Sequence, residues 1–162
     1  MEHISERTAE DIEAVISKHG NMLYRMCVLM LKNESDAEDV VQETMIKYYQ
    51  KSPVFRDDEH EKAWLIKVAA NKCRDLLRFL VRHPQVEDNF LEKVSFDSSD
   101  SGIIEALTSL PEKLRLVMTL YYIEDYRVED IAKIIDKTSS AVKMRLHNGR
   151  KLLEKIYREE YM

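Results

Sequence analysis

The sequence predicts an all-α protein, with two small helical domains joined by a flexible linker. Glycine and proline number only 3 each in 162 residues, so the turns that separate short strands are scarce. Apolar residues recur at spacings of three and four, as on one face of a helix, and the alternation typical of half-buried strands is absent. A polar, aperiodic stretch near the middle of the chain divides the helices into two groups.

The first domain, residues 1–82, is predicted to begin with a helix over residues 8–32. Thr8 suits its N-cap, with Asp11 placed three residues on. The second helix is predicted to begin at Ser35, in a capping-box pattern with a glutamate at position 38.

The second helix is predicted to fade at Ser52, because the residue before a proline is pushed out of the helical region. Residues 52–61 are polar and aperiodic, which predicts a loop. A third helix follows over about residues 61–81, with a stripe of apolar side chains facing inward.

Residues 83–102 contain a proline and a cluster of serine and aspartate, and we interpret them as an acidic linker. The second domain, residues 103–162, is predicted to hold three helices. The first covers residues 111–124 and starts at its proline. Two more helices are predicted, over residues 128–135 and 139–157.

The last two helices are predicted to form a helix-turn-helix, since both are amphipathic, the link between them is short and the small Ala132 stands at their crossing. Ser139 and Ser140 lie at a helix N-terminus, where free N–H groups favour a phosphate. Five cations and no acid fall between positions 137 and 151: Lys137, Lys143, Arg145, Arg150 and Lys151. A solvated basic face is the alternative, but the combination favours DNA binding.

The third helix carries a line of cations with an aromatic and an amide, opposite its apolar stripe. Cations track phosphates, aromatic rings stack on bases and amides read base edges, which suits a single strand. The alternative is that Trp64 packs into the core and the cations only solvate a surface. The members of this stripe are Trp64, Lys67, Asn71, Arg74, Arg78 and Arg82.

The second helix instead presents carboxylates, with Asp36, Asp39 and Glu43 on one exposed face. Acidic side chains in the first turn of a helix interact favourably with its dipole. This alternative explains Asp36 but explains Glu43 less well. A metal site is a further alternative, but it lacks the Glu-x-x-His partners of a di-iron bundle. An acidic face for a basic protein partner remains.

Composition excludes several classes of function. The net charge of −5 argues against a non-specific nucleic-acid binder. Cys27 and Cys73 belong to no CxxC pair, so we expect two reduced, buried thiols and no metal. No apolar run is long enough to span a membrane, and the acidic N-terminus argues against a signal peptide. A soluble, cytoplasmic protein without a cofactor is expected.

Three stretches together resemble bacterial sigma factors of the extracytoplasmic-function group. They are DAEDVVQETMIKYY at 36–49, AWLIKVAANKCRDLLR at 63–78 and LPEKLRLVMTLYYIEDYRVEDIAKIIDKTSSAVKMRLHNGRKLL at 110–153. The resemblance implies an alternative sigma factor that lends promoter recognition and strand opening to core RNA polymerase and has no catalytic chemistry of its own. It also implies promoter DNA as a partner, an anti-sigma partner, often membrane-anchored, and no small-molecule substrate.

The resemblance also implies roles for individual residues. The polymerase β′ clamp coiled coil would bind Asp36, Asp39, Gln42 and Glu43. The melted strand of the downstream promoter element would lie on Trp64, Lys67, Asn71, Arg74 and Arg78, and the loop over residues 52–61 would read a flipped-out base. The upstream element would contact Ser139, Ser140, Lys143, Arg145 and His147, in a domain that also touches the polymerase β flap.

This chain departs from the family at three positions. Asp136 stands where the helix-turn-helix turn usually has glycine, Arg127 where the helix cap is usually serine or threonine, and Asn148 where arginine is common. Aspartate tolerates the left-handed conformation better than most residues, so the turn is expected to survive. The rival functions are a stand-alone helix-turn-helix regulator that dimerises on a palindrome, and an enzyme with a carboxylate metal site.

Overall fold

The computed structural model describes residues 6–82 and 101–161, which hold seven α-helices and no β-strand. Contacts divide the chain into two compact units, Met1–Val86 and Glu87–Met162. The all-α, two-domain prediction is therefore confirmed. Most of the predicted linker lies outside the described residues.

Unit 1 contains α1 (Ala9–Leu31), α2 (Glu34–Lys51) and α3 (Asp58–Arg82), and α1 packs against both others. The second half of α1 is buried almost all round, as expected of a helix that is apolar on every side. Its start is as predicted: Asp11 N–H donates to Thr8 Oγ1 at 3.2 Å, and Thr8 N–H donates to Asp11 Oδ2 at 2.9 Å. The large side chains of this core are Leu23, Met26, Leu29, Met30, Tyr48, Leu65 and Ile66.

The predicted capping box at Ser35 is wrong. The helix α2 begins one residue earlier, and its cap is Asn33, whose Oδ1 accepts the Asp36 N–H at 2.9 Å. Lys32 ends α1 in the left-handed conformation at φ 56°, so the chain reverses too early for Ser35 to cap. Asparagine is as good a cap as serine.

The predicted start of α3 near Glu61 is also wrong, because the helix begins at Asp58. The carboxylate of Asp57 accepts the His60 N–H at 2.8 Å and closes the first turn. The acidic residues that indicated a loop instead occupy a helix N-terminus, where the dipole favours negative charge.

Cys27 and Cys73 are both buried free thiols, as predicted. They lie on α1 and α3, which pack together. Hydrogen bonding with Cys73, together with burial, raises the pKa of the Cys27 thiol well above its ordinary value. A high thiol pKa disfavours the thiolate, which is the reactive form.

Unit 2 contains α4 (Ser101–Thr108), α5 (Glu112–Met118), α6 (Val128–Ile135) and α7 (Ser139–Tyr161). The prediction of three helices missed α4, which begins inside the predicted linker. A π-helical turn, Thr119–Ile123, continues α5, which was predicted as α-helix throughout. The buried Arg115 guanidinium donates to the carbonyls of Thr108 at 2.9 Å and Leu110 at 3.1 Å. The first bond satisfies a carbonyl at the end of α4, where a helix terminus leaves carbonyls without intrahelical partners, and the second holds the turn that leads to α5.

The helix-turn-helix prediction is confirmed by α6 and α7. Asp136 adopts the left-handed conformation at φ 56° and ψ 46°, and the Lys137 N–H donates to Ala132 O at 3.0 Å. Thr138 then caps α7, because its Oγ1 accepts the Ala141 N–H at 3.0 Å. Gly149 permits close packing, since a Cβ there would lie 2.8 Å from Met118 Cγ.

Candidate polymerase and promoter DNA interfaces

The outer face of α7 is the candidate duplex-binding surface. Val142, Leu146 and Gly149 are buried on the opposite side, which fixes the rotation of the helix. Among the predicted upstream contacts, Ser140, Lys143 and His147 are exposed, while Ser139 and Arg145 are half-buried at the flanks of this face.

Met144 lies on the same exposed face, with 60% of its surface accessible, although it is not among the predicted contacts. An apolar side chain can contact the methyl group of thymine in the major groove. The signal in the sequence was a single apolar residue on an otherwise polar helix face.

The predicted stripe on α3 lies on the side of the helix away from the buried Leu65, Ala69 and Cys73. Its members differ in exposure. Asn71, Arg78 and Arg82 are exposed, whereas Trp64, Lys67 and Arg74 are half-buried. The structure therefore brings four cations and an amide to one side of the helix.

Trp64 belongs to an aromatic cluster as well as to this stripe. Its ring centre lies 6.2 Å from that of Tyr48 and 5.8 Å from that of Phe55, both in edge-on arrangements. Phe55 also stacks on Tyr48 at 6.1 Å and meets the His60 ring edge-on at 5.2 Å. The packing alternative for Trp64 thus holds in part, since the ring is held by the residues around it.

The α2–α3 loop is the segment between these two helices, residues 52–57. Its Phe55 side chain enters the aromatic cluster, while Val54 and Arg56 are exposed. Beneath it, the Tyr48 hydroxyl donates to Glu61 Oε2 at 3.0 Å. Burial, with this hydrogen bond, raises the pKa of Tyr48 to about 12, so the phenol stays protonated as the donor.

The acidic face of α2 is largely open. Asp39, Gln42 and Glu43 are exposed, and Asp36 is half-buried. Burial, together with the charge of Asp39, raises the pKa of the Asp36 carboxyl. Within residues 6–82 and 101–161, no group of three or more His, Cys, Asp or Glu side chains could hold a metal ion.

An apolar groove of about 440 Å³ lies between α4, the end of α5, the π-helical turn and the second half of α7. Sequence reasoning missed it, because its walls come from segments far apart in the chain. Arg150 Nη1 donates to the Tyr122 hydroxyl at 3.2 Å at its rim. Its apolar lining is Ile103, Ile104, Leu107, Met118, Tyr122, Ile123, Leu153 and Tyr157.

Comparison with known families identifies both units. Residues 15–82 match Sigma-70 region 2, and residues 102–153 match Sigma-70, region 4. A sigma factor of Bacillus subtilis, SigV, is 30% identical over 142 residues, which cover 85% of this chain and 86% of SigV. This chain belongs to the extracytoplasmic-function group of RNA polymerase sigma factors. It is an alternative sigma factor that directs promoter recognition and transcription initiation.

Other relatives agree with this assignment. The ECF sigma factor SigW of Bacillus subtilis is 28% identical, with 90% of this chain and 88% of SigW covered. Among solved structures, RpoE of Bartonella quintana, in complex with the anti-sigma factor NepR, gives a TM-score of 0.74 at 21% identity over 94% of this chain and 99% of that one. CnrH, in complex with the cytosolic domain of CnrY, gives 0.73 at 22% identity, with 94% and 91% covered. These structures show the shared fold.

Sigma factors are initiation factors without catalytic activity of their own. Among the described helices, none is both long enough and apolar enough to cross a membrane.

Proposed function

We propose that the three charged faces of this sigma factor divide its work between the polymerase and the two promoter elements. The carrying observation is that α2 presents exposed carboxylates while α3 of the same unit presents cations. A partner with a basic surface and a nucleic acid can therefore bind unit 1 on different helices. Residues 1–82 serve polymerase docking and the downstream element, and residues 103–162 serve the upstream element.

Polymerase docking is assigned to Asp36, Asp39, Gln42 and Glu43, which face the β′ clamp coiled coil. Three of these side chains, Asp39, Gln42 and Glu43, are exposed and therefore accessible to a basic partner. The half-buried Asp36 lies at the edge of this surface.

Downstream-element binding is assigned to the stripe on α3, with contacts from Trp64, Lys67, Asn71, Arg74 and Arg78. Cations near the helix surface follow the phosphates of a melted strand, and the aromatic cluster around Trp64 provides a stacking surface. The α2–α3 loop reads a base flipped out of that strand through its exposed side chains.

Upstream-element binding is assigned to Ser139, Ser140, Lys143, Arg145 and His147. These residues lie within the first three turns of α7, and the N-terminal part of a recognition helix contacts base edges in the major groove. The affinity of this small surface for DNA is supplemented by the rest of the holoenzyme, which accounts for an acidic chain.

An anti-sigma factor is also proposed as a partner, because the similar RpoE of Bartonella quintana forms a complex with the anti-sigma factor NepR. Unit 2 also contacts the polymerase β flap. We assign the apolar groove of unit 2 to this contact, since an exposed apolar surface of this kind suits a protein partner. The factor acts in the cytoplasm beside the polymerase and uses no metal or cofactor.

The test is a pull-down with bacterial core RNA polymerase, followed by transcription from a promoter library. We expect stable core binding and a promoter preference that core polymerase alone lacks. Sequence-specific binding of a palindrome by the isolated chain, without core binding, would instead identify a stand-alone regulator.

A further inference from the structure

Arg7 lies two residues before α1 and contacts the α2–α3 loop from outside it. Its Nε donates to Ser52 Oγ at 3.0 Å, and its Nη2 donates to the Pro53 carbonyl at 2.9 Å. The guanidinium carbon also lies 4.7 Å from the centre of the Tyr48 ring and 5.2 Å from that of Phe55. One side chain thus contacts three residues of the loop, Ser52, Pro53 and Phe55, and the Tyr48 ring beneath it.

These contacts need an arginine. A planar guanidinium can donate to two acceptors in fixed directions while its face lies against aromatic rings, whereas an ammonium is a point charge on a flexible stem. Ser52 is fully buried, at 0% exposure, so the hydrogen bond from Arg7 satisfies a hydroxyl that water does not reach.

The loop has an inner and an outer side. Phe55 holds the inner side in the aromatic cluster, and the His60 Nδ1 accepts the Arg56 N–H at 3.2 Å. The outer side presents Val54, 56% exposed, and the Arg56 side chain. The two residues that accept hydrogen bonds from Arg7 come immediately before Val54 in the chain. Arg7 therefore determines the position and orientation of this outer side.

We infer that Arg7 is a positioning residue for base recognition, which fixes the α2–α3 loop in the conformation that reads a flipped-out base. This inference rests on the proposed role of the loop. Specificity is a difference between affinities, and a flexible loop can repack around a wrong base, so a loop that is held in one conformation discriminates better between bases. Arg7 acts through the loop and does not itself touch the strand.

The test uses the holoenzyme and a library of single-stranded non-template oligonucleotides, randomised across the downstream element. We compare wild type with Arg7→Ala, Arg7→Lys and the exposed neighbour Glu6→Ala. A wrong base at one position typically weakens binding about tenfold or more. We therefore expect Arg7→Ala to reduce the preference for the correct base over the others by roughly tenfold at the position read by the loop. Preferences at the other positions remain, and Glu6→Ala behaves as wild type.

Arg7→Lys separates positioning from a charge effect. It keeps the positive charge but not the paired hydrogen bonds, so we expect it to lose discrimination at that same position with an unchanged salt dependence. A phosphate contact would behave differently: Arg7→Ala would weaken binding uniformly for all sequences and lower the salt slope. That result overturns the inference, and so do unchanged base preferences in Arg7→Ala.

Folding is checked by core binding and by the fluorescence of Trp64. If Arg7→Ala fails to fold, Ser52→Ala removes only one acceptor and should give a smaller loss of discrimination at the same position; no change there overturns the inference.

Val54→Ala and Arg56→Ala test the premise that the α2–α3 loop reads a base. If neither alters any base preference, the proposed role of the loop fails, and the inference with it. If they do and Arg7→Ala does not, only the inference fails.

Discussion

The Lys72 ammonium on α3 lies 3.6 Å from the Glu43 carboxylate on α2. The Glu43 side chain is 60% exposed and that of Lys72 29%, so water screens the pair and its contribution to stability is about 0–1 kcal/mol. Glu43 can therefore exchange this cation for one on a partner at little cost. The pair joins the acidic helix of unit 1 to the cationic one.

Charge reversal on the acidic face should abolish polymerase docking. We expect Asp39→Arg combined with Glu43→Arg to lose co-purification with core RNA polymerase, because two attractive contacts become repulsive. Both side chains are exposed, so the fold should survive, and Trp64 fluorescence during denaturant unfolding checks that it does.

The matched control for this variant is Lys72→Ala. It removes the contact within the chain without reversing the charge of the acidic face, so core binding should stay within about twofold of wild type. Co-purification of the double reversal at the wild-type level would show that the docking assignment is wrong.

Removal of cations from α7 should weaken use of the upstream element. We expect Lys143→Ala and Arg145→Ala each to reduce transcription from promoters that depend on this element, with core binding unchanged. Each lost phosphate contact should lower the slope of log affinity against log salt by about 1. Lys143 is exposed and Arg145 half-buried, so Lys143→Ala should have the larger effect.

Lys155→Ala is the control for these substitutions, since it removes an exposed cation from the same helix beyond the predicted contacts. Its salt dependence should match wild type. An equal loss in all three variants would indicate that only the total charge of α7 matters, and would contradict the assignment of individual contacts.

The helices and their faces could be predicted because they depend on local periodicity. The short helix α6 has the predicted bounds, since its apolar residues lie at strict helical spacing between two breaks. Helix starts were harder to predict: Asn33 and Ser35 are both good caps, and the left-handed Lys32 decides between them. No local sequence pattern indicates that Lys32 adopts the left-handed conformation.

The candidate site also has parts that the sequence predicts and parts that it does not. The open faces of α2, α3 and α7 follow from a repeat of 3.6 residues, so most of their members could be named in advance. The contact between Arg7 and Ser52 joins residues 45 positions apart and leaves no periodic signal. The groove of unit 2 was missed for the same reason, as it exists only when four segments pack together.

The correction to the start of α2 has a thermodynamic test. We expect Asn33→Ala to lower the free energy of unfolding of unit 1 by about 1 kcal/mol, because it leaves the Asp36 N–H without its capping acceptor. Ser35→Ala should change it little, since Ser35 is exposed and lies within the first turn. Trp64, the single tryptophan, reports on unit 1 during urea unfolding. If Ser35→Ala instead lowers the free energy of unfolding more than Asn33→Ala does, Ser35 is the cap of α2 after all.

His19 should make the stability of unit 1 depend on pH. Its side chain is buried, and its Nε2 lies 3.6 Å from Glu61 Oε1. Burial lowers the pKa of His19 below its usual 6.5, and it outweighs the Glu61 carboxylate, which acts in the opposite direction. The other charged groups that affect this pKa are Lys18, Lys62 and Asp58.

A histidine with a lowered pKa binds fewer protons in the folded state than in the unfolded chain. The free energy of unfolding should therefore be highest above about pH 6.5 and fall as the pH drops through the folded pKa. We expect His19→Gln to flatten this dependence between about pH 7 and pH 5, measured by Trp64 fluorescence in urea. His147→Gln, which changes an exposed histidine of unit 2, should keep the wild-type dependence. If wild type instead gains stability as the pH falls, the attraction of Glu61 exceeds the cost of burial, and the pKa of His19 is raised rather than lowered.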